Sequence, residues 1–316
     1  MMVRGEYSQL MVPGLMGIFN HFKQLRLREN EYDMIFNKED SVSAFEDEIE
    51  FAGVGPQVEK PESDAIFYDE LIQGGTKRYV HLTYGLGGKA SWELLQDDKY
   101  KIIKMLPDSL VRSSKFTKEY TIWNVVNQGF TLTVTSDNVS LFNNQHPLLG
   151  GVGATNIAPG VGSVITSAGT YPNRPNPDMD LSMTALQLMI NQFERLIDAQ
   201  GMPVAVKPKH VVIPPELQFV GLEILGSANK PYTSDNEINS LVPQGLELKI
   251  CHYLTSPSAW FVFADKDSHA LKYLNRTNLF DDYDDDFDTR AVKQVAIQRF
   301  SAGATVWYGT WGSNGP

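Results

Sequence analysis

Three stretches carry residues whose types and spacing could do chemistry. The first is Tyr84-Gly85-Leu86-Gly87-Gly88-Lys89-Ala90-Ser91, which sits between a strand-like and a helix-like segment, where a nucleotide loop would stand. A Walker A loop needs a glycine four residues ahead of the Gly-Lys pair and a Ser or Thr after it, and Thr83 and Ala90 occupy those places. The dinucleotide pattern is met by Gly85, Gly87 and Ala90, yet the segment before it carries Lys77, Arg78 and His81 where a parallel strand is a buried apolar run. The reading favoured is therefore turn glycines, with the strand broken after Tyr84.

The second stretch, Phe280 to Asp288, holds Asp281, Asp282, Asp284, Asp285, Asp286 and Asp288. That is enough oxygen for a hard cation, but no glycine or closing glutamate stands at EF-hand spacing, so a solvated acidic turn is expected. Paired acids for hydrolysis would need a positioned partner, and none is evident from spacing. The third set is the six histidines (His21, His81, His146, His210, His252, His269) with Cys251. No HExxH, HxH or GxSxG pattern joins them, and Cys251-His252 lacks zinc-site spacing. Trp92, Trp123, Trp260, Trp307 and Trp311 fall in helix-like or strand-like positions, where core packing is the default. No catalytic, cofactor or metal residue is assigned, and no cofactor is expected.

The chain has 316 residues and 35.4 kDa, room for about two domains at about 150 residues each. Its 42% hydrophobic and 21% charged residues are a globular mix. A net charge of −11 disfavours affinity gained by neutralising many phosphates. The lone cysteine cannot form an intramolecular disulfide, and the expectation is a protein made inside the cell. Pro13 and nearby glycines interrupt the apolar N-terminus before it reaches signal-peptide length, and no run approaches the ~20 apolar residues of a membrane span.

Residues 1–44 read as an arm, weakly patterned, with Lys23, Arg26 and Arg28 ahead of an acidic cluster. Between Phe45 and Glu70 stand nine acids (Glu46, Asp47, Glu48, Glu50, Glu59, Glu62, Asp64, Asp69, Glu70) and one base, Lys60. The flanks FEDEIEFAG and DAIFYDELI are β-like around a Gly/Pro centre, which predicts a long hairpin. Such a hairpin is marginal alone in water and should be completed by another surface. A strand over 77–84 places Val80, Leu82 and Tyr84 on one face. A helix over 92–105, broken at Pro107, precedes a second over 108–127 with Phe116, Tyr120, Trp123 and Asn127 as its stripe.

After a strand at 131–135 comes a long Gly/Pro/Asn-rich connection. A helix follows Asp180, with Leu186, Met189, Ile190, Phe193, Leu196 and Ile197 apolar and Gly201 as its stop. Then come a buried strand at 210–213, a helix opened by Pro214-Pro215, and strands at 246–253, 259–264, 269–274, 289–299 and 302–308. Without a βαβ rhythm, the class is α+β. Appendages of one charge and a long helix of the other, with Lys99, Lys101, Lys104, Arg112, Lys115 and Lys118, suit a chain that grips copies of itself.

Four stretches resemble the tailed-bacteriophage major capsid proteins of the Hong Kong 97 type, most closely the Mu-like major head subunit group. They are Ser91-Trp92-Glu93-Leu94-Leu95-Gln96-Asp97-Asp98, Leu141-Phe142-Asn143-Asn144-Gln145-His146-Pro147, Lys209-His210-Val211-Val212-Ile213-Pro214-Pro215-Glu216-Leu217, and Gly303-Ala304-Thr305-Val306-Trp307-Tyr308-Gly309. The likeness runs from about Gly75 to Gly315 and lies in their order and spacing. It implies an N-terminal arm (1–44), an extended loop (45–84), a peripheral domain with a spine helix (85–134), an axial domain (135–265) and a return to the peripheral domain (266–316). It also implies hexamers and pentamers tiling an icosahedral head around double-stranded DNA, in the virion, assembled in the host cytoplasm. Scaffold, portal and decoration proteins are the implied partners, with no membrane. The chain has no room for the long cleavable scaffolding segment of some relatives, which implies a separate scaffold or a processed start.

A net-negative wall suits DNA packed without sequence-specific contact. The opposite charges suggest that Glu46, Asp47, Glu48, Glu50, Glu62, Asp64, Asp69 and Glu70 of one subunit dock on Arg112, Lys115 and Lys118 of the next. A phage tube or decoration protein, or a cytoplasmic enzyme with an unrecognised site, are the alternative readings.

Overall fold

A computed structural model describes residues 7–27, 30–57, 59–91, 105–148, 170–197, 202–230, 237–285 and 291–315. The N-terminal stretch, expected as a weakly patterned arm, contains a helix, α1 (Tyr7–Arg26), whose Phe19 is fully buried beside the partly buried Phe22. A 3-10 turn at Tyr32–Met34 leads to β1 (Asn37–Asp40). Next come β2 (Phe45–Ala52) and β3 (Ile72–Val80), an antiparallel hairpin forming its own two-stranded sheet. The return strand is thus Ile72–Val80, and the stretch expected to form it, residues 64–71, is not strand.

The expected strand 77–84 is two strands with a corner at His81. The buried imidazole bonds Ser41 Oγ at 2.9 Å and Ser301 Oγ at 3.0 Å, and β4 (Leu82–Ala90) departs into a different sheet. Val80 and Leu82, expected to share a face with Tyr84, are both exposed. The glycines of the candidate nucleotide loop lie inside β4, paired with the strand Val292–Ala304. Their reason is close packing: a Cβ on Gly87 would meet Val295 at 2.7 Å, and one on Gly88 would meet Leu106 at 2.4 Å. A loop that cradles phosphate is therefore ruled out here, because the segment is extended and ladder-paired.

The long helix is α2 (Met105–Asn127). Pro107 lies inside it and does not break it over the described residues. The helix expected over 92–105 lies outside the described residues apart from its last position. The buried stripe of α2 is Leu110, Val111, Ser114, Ile122, Trp123, Val125 and Val126, whereas Phe116 and Tyr120 are exposed, so the stripe is rotated from the one expected. The expected strand at 131–135 is a set of turns. The amides of Thr131, Leu132 and Thr133 all donate to the Gln128 carbonyl, and this capping of the helix end wins over a ladder.

β5 (His146–Pro147) and β6 (Thr170–Tyr171) form a short pair. α3 (Met183–Glu194) starts at Ser182, whose side chain accepts the Ala185 N–H. It buries Leu186, Met189, Ile190 and Phe193 as expected but stops at Glu194, with Leu196 and Ile197 buried beyond it. β7 (Pro208–Ile213) runs into Pro214-Pro215, a 3-10 turn and α4 (Gln218–Gly226). β8 (Glu247–Ile250) and β9 (Trp260–Ala264) follow. The tail consists of β10 (Leu271–Asp285), β11 (Val292–Ala304) and β12 (Thr310–Ser313).

Among the described residues two four-stranded sheets organise the fold, in the orders β1-β10-β11-β4 and β12-β9-β7-β8. β11 alternates with period two: Val292, Gln294, Ala296, Gln298 and Phe300 turn inward. At one end Ala296 packs with Phe19, Leu110, Val111 and Leu279. The main core joins α2, α3 and the second sheet around Trp123, Trp260, Trp307 and Trp311, all buried. Among the described residues no helix is long and apolar enough to cross a membrane.

Candidate assembly surface

The acids of the hairpin divide into two groups. Those of β2 are engaged within the chain. Ser41 Oγ donates to Glu46 at 2.6 Å, which lowers that carboxyl below its ordinary range. Asp47 receives both guanidinium arms of Arg78 at 2.7 Å and is likewise lowered. Glu48 is paired with Lys272 and accepts from Thr305 Oγ1. Glu50 accepts from Ser136 Oγ at 2.5 Å, but burial outweighs this bond and pushes its pKa up. From β3, Lys77 Nζ donates to the Val134 carbonyl at 2.5 Å, and Tyr79 Oη bonds Thr305 Oγ1 at 2.6 Å. Gly75 lies so close to the 136 backbone that a Cβ there would fall 1.7 Å from the Ser136 carbonyl oxygen. The root of the hairpin is thus fixed by its own subunit, which corrects the expectation that the whole hairpin awaits another surface.

The distal acids are placed differently. Glu62, Asp64, Asp69 and Glu70 are exposed, with Asp69 accepting only the nearby Gly55 and Glu70 amides in the described contacts. Among them stand Ile66 (63% exposed), Phe67 (70%), Tyr68 (85%) and Leu71 (67%). Reading DAIFYDELI as a strand flank hid this apolar run; its alternation signalled burial but not on which molecule.

The three bases also separate. Arg112 is exposed and Lys115 half-buried. Lys118 does not offer a surface charge. Its ammonium lies 4.9, 5.5 and 5.6 Å from the ring centres of Tyr273, Tyr32 and Phe300, and burial lowers its pKa to about 8. Beside it, Glu119 is fully buried and its carboxylate accepts the Glu31 and Tyr32 amides at 2.8 and 3.2 Å. Burial still raises it to about 7. Sequence reading missed Glu119; its only signal was an acid within the apolar period of α2. On the outer face of α2, Arg112, Phe116 and Tyr120 follow at four-residue spacing, and the two rings stack at 6.0 Å.

Among the described residues the candidate chemistry elsewhere does not assemble. Cys251 is buried, and burial raises its thiol well above the ordinary range. His146 is enclosed between Asp137 and Asn173 and stacks on Trp307. The acidic run expected as a turn is strand through Asp285, and its remainder lies outside the described residues. No group of three or more His, Cys, Asp or Glu among the described residues is arranged to hold a metal ion.

The likeness to known proteins lies in the fold. A chain of Microbacterium phage Oxtober96 superposes with a TM-score of 0.55 at 9% identity, covering 90% of each chain. The capsid of cyanophage P-SCSP1u gives 0.55 at 10% identity, covering 88% of this chain and 85% of that one. The capsid of bacteriophage JBD30 decorated with minor capsid protein trimers gives 0.53 at 12%, covering 72% and 91%. No curated protein matches the sequence. The architecture is that of Hong Kong 97-type capsid chains, and the family profile described as phage capsid protein matches residues 75–311. The chain belongs to the phage capsid protein family.

Proposed function

We propose that this chain is the major subunit of a tailed-phage head, closing as hexamers and pentamers into an icosahedral shell around double-stranded DNA. The four stretches resembling the Mu-like head subunits support that group within the family. The observation that carries the reading is the hairpin: its root is bonded to its own subunit, while its far half presents Ile66, Phe67, Tyr68 and Leu71 to solvent. Burying such side chains stabilises by about 1.5–3 kcal/mol each, whereas an exposed ion pair contributes about 0.2–1 kcal/mol. The contact with the next subunit is therefore apolar first, with Glu62, Asp64, Asp69 and Glu70 setting orientation. Its receiving surface is the Arg112, Phe116 and Tyr120 ridge of α2, with Lys115 at its edge. Glu46, Asp47, Glu48, Glu50 and Lys118 act within the subunit.

In this reading residues 1–44 are the arm, 45–84 the extended loop, 85–134 the peripheral domain and 135–265 the axial domain. The tail from 266 returns to the peripheral sheet through β10 and β11, and β12 joins β9 of the other sheet. The role is structural rather than enzymatic. In this reading a scaffold and a portal are the partners, with a decoration protein as an additional one on the outside, and assembly takes place in the host cytoplasm. Electron microscopy of the purified chain, alone and co-expressed with its neighbouring phage genes, tests this. Shells or capsomers support it, whereas tubes or small oligomers under every condition overturn it.

A further inference from the structure

Among the described residues, the sheet β1-β10-β11-β4 is covered on one face and bare on the other. Ala296 of β11 packs with Phe19 and Leu110, and the Gln298 amide donates to the Ser114 carbonyl at 2.9 Å, so α1 and α2 lie over that side. Alternation sends Lys293, Val295 and Ile297 to the opposite face. There the register lines up two rows across three strands: Gly85, Ile297 and Phe280 in one, Lys89, Lys293 and Asp284 in the other. Phe280 is 42% and Val295 36% exposed, and Gly85, Lys89 and Asp284 are exposed with them. Gly85 sits mid-strand, where glycine weakens the strand, yet its own subunit does not ask for it. A Cβ there would meet nothing nearer than Ile297 at 3.6 Å, an ordinary contact. A strand glycine with no internal reason marks close approach from outside.

The two rows are self-complementary. One has an exposed ring at its β10 end and an empty slot at its β4 end. The other has an acid at its β10 end and a base at its β4 end, and neither Asp284 nor Lys89 makes an ion pair among the described residues. We propose that this face packs on the same face of a second copy, about a two-fold axis lying along β11. Such an axis exchanges the two edges. It seats Phe280 of each copy over Gly85 of the other and sets Asp284 against Lys89, while Val295 and Ile297 meet their own counterparts at the centre. Lys293, close to the axis, keeps its own Asp284 as neighbour. Face-to-face sheets of this aligned kind keep their strands within about 30° and lie about 10 Å apart. The role of the contact rests on the shell reading above. The hairpin joins one surface to a different one, which closes rings, and rings are joined to each other only by a further contact such as this isologous one.

Charge exchange in the full chain, read by sedimentation and electron microscopy, tests the contact. Between two Lys89→Asp chains acid faces acid, and between two Asp284→Lys chains base faces base, so each variant alone should associate through this face about a hundredfold more weakly. Each should stop at separate hexamers and pentamers. An equal mixture of the two restores both pairs and should form shells again. Gly85→Val has room for its side chain in its own subunit, so it should unfold at the usual temperature yet block the contact by filling the slot. Shells from either charge variant alone, a mixture no better than its parents, or normal shells from Gly85→Val would each overturn the proposal. Failure of the shell reading looks different, because the unsubstituted chain would then form no rings. The two-fold pair would in that case still be read by sedimentation, as dimers of the unsubstituted chain and of the mixture but not of either charge variant, and their absence would overturn it.

Discussion

The buried carboxylate of Glu119 accepts the backbone N–H of Glu31 at 2.8 Å, so one side chain of α2 anchors the segment that leads out of the N-terminal helix. The Glu31 carboxylate faces outward, accepting from the His252 amide at 2.9 Å and its ring Nδ1 at 2.7 Å. Burial raises the Glu119 pKa from 4.5 to about 7, so the folded state holds its proton more tightly than the unfolded chain. The ionised form is disfavoured above pH 7, and that penalty is relieved as pH falls from about 7 to 4.5. A shift of this size corresponds to roughly 3 kcal/mol. Glu119→Gln should remove most of this pH dependence between pH 5 and 8 while losing one of the two amide bonds. Urea unfolding at several pH values measures it; an unchanged slope in the variant would contradict the assignment.

Lys118 carries the opposite dependence. Its folded-state pKa is lowered from 10.5 to about 8, so the ionised form is disfavoured below pH 8 and the penalty is relieved as pH rises from about 8 towards 10.5. The surrounding rings offset part of that cost through cation–π attraction. Lys118→Met should therefore be close to neutral or stabilising at pH 7, by up to ~2 kcal/mol. It should also erase the relative gain in stability between pH 8 and 9.5. Thermal unfolding across that window distinguishes a caged lysine from a surface one, for which Met would change nothing with pH.

How much of this was legible in the residues depended on whether the signal was local. The α3 stripe, the Pro214-Pro215 step and β9 followed from spacing alone, because each is buried against its own subunit. The face of α2 was misjudged because aromatic spacing cannot say whether Phe116 and Tyr120 bury in their own core or in a neighbour's. The glycines of β4 looked like turn chemistry, yet a strand also needs glycine where Leu106 and Val295 press on it. Opposite charges suggested a contact between hairpin and helix, but charge does not reveal that Arg78, Lys272 and Ser136 of the same chain already engage the β2 acids. Lys118 fails as a surface base for the same reason: Tyr32, Tyr273 and Phe300 come together only in the fold.

Gly75 sets the angle at which the hairpin leaves the body. Any side chain there collides with the Ser136 carbonyl, and backbone gives way less readily than a flexible side chain. Gly75→Ala should break the Glu50 to Ser136 bond and swing the hairpin root, costing about 1–3 kcal/mol as strain and a lost bond. Faster exchange of the 72–80 amides, with α3 and β9 unaffected, is the expected result. Unchanged protection at 72–80 would mean that the root is not held against residue 136.

The division of the hairpin into a bonded root and an apolar far half makes assembly separable from folding. Phe67 and Tyr68 are mostly exposed in the single subunit, so the double substitution Phe67→Ser, Tyr68→Ser should leave its stability within about 0.5 kcal/mol. In the proposed shell the same side chains are buried by the next copy, so their loss would recur at every subunit contact. Particles should then fail to form while the monomer unfolds at its usual temperature. Arg112→Glu with Lys115→Glu should do less, slowing assembly most at low salt, because exposed charges contribute little and are screened. If the charge-reversed protein fails to assemble while the serine variant forms normal particles, the contact is electrostatic and the ranking given to the two halves is inverted.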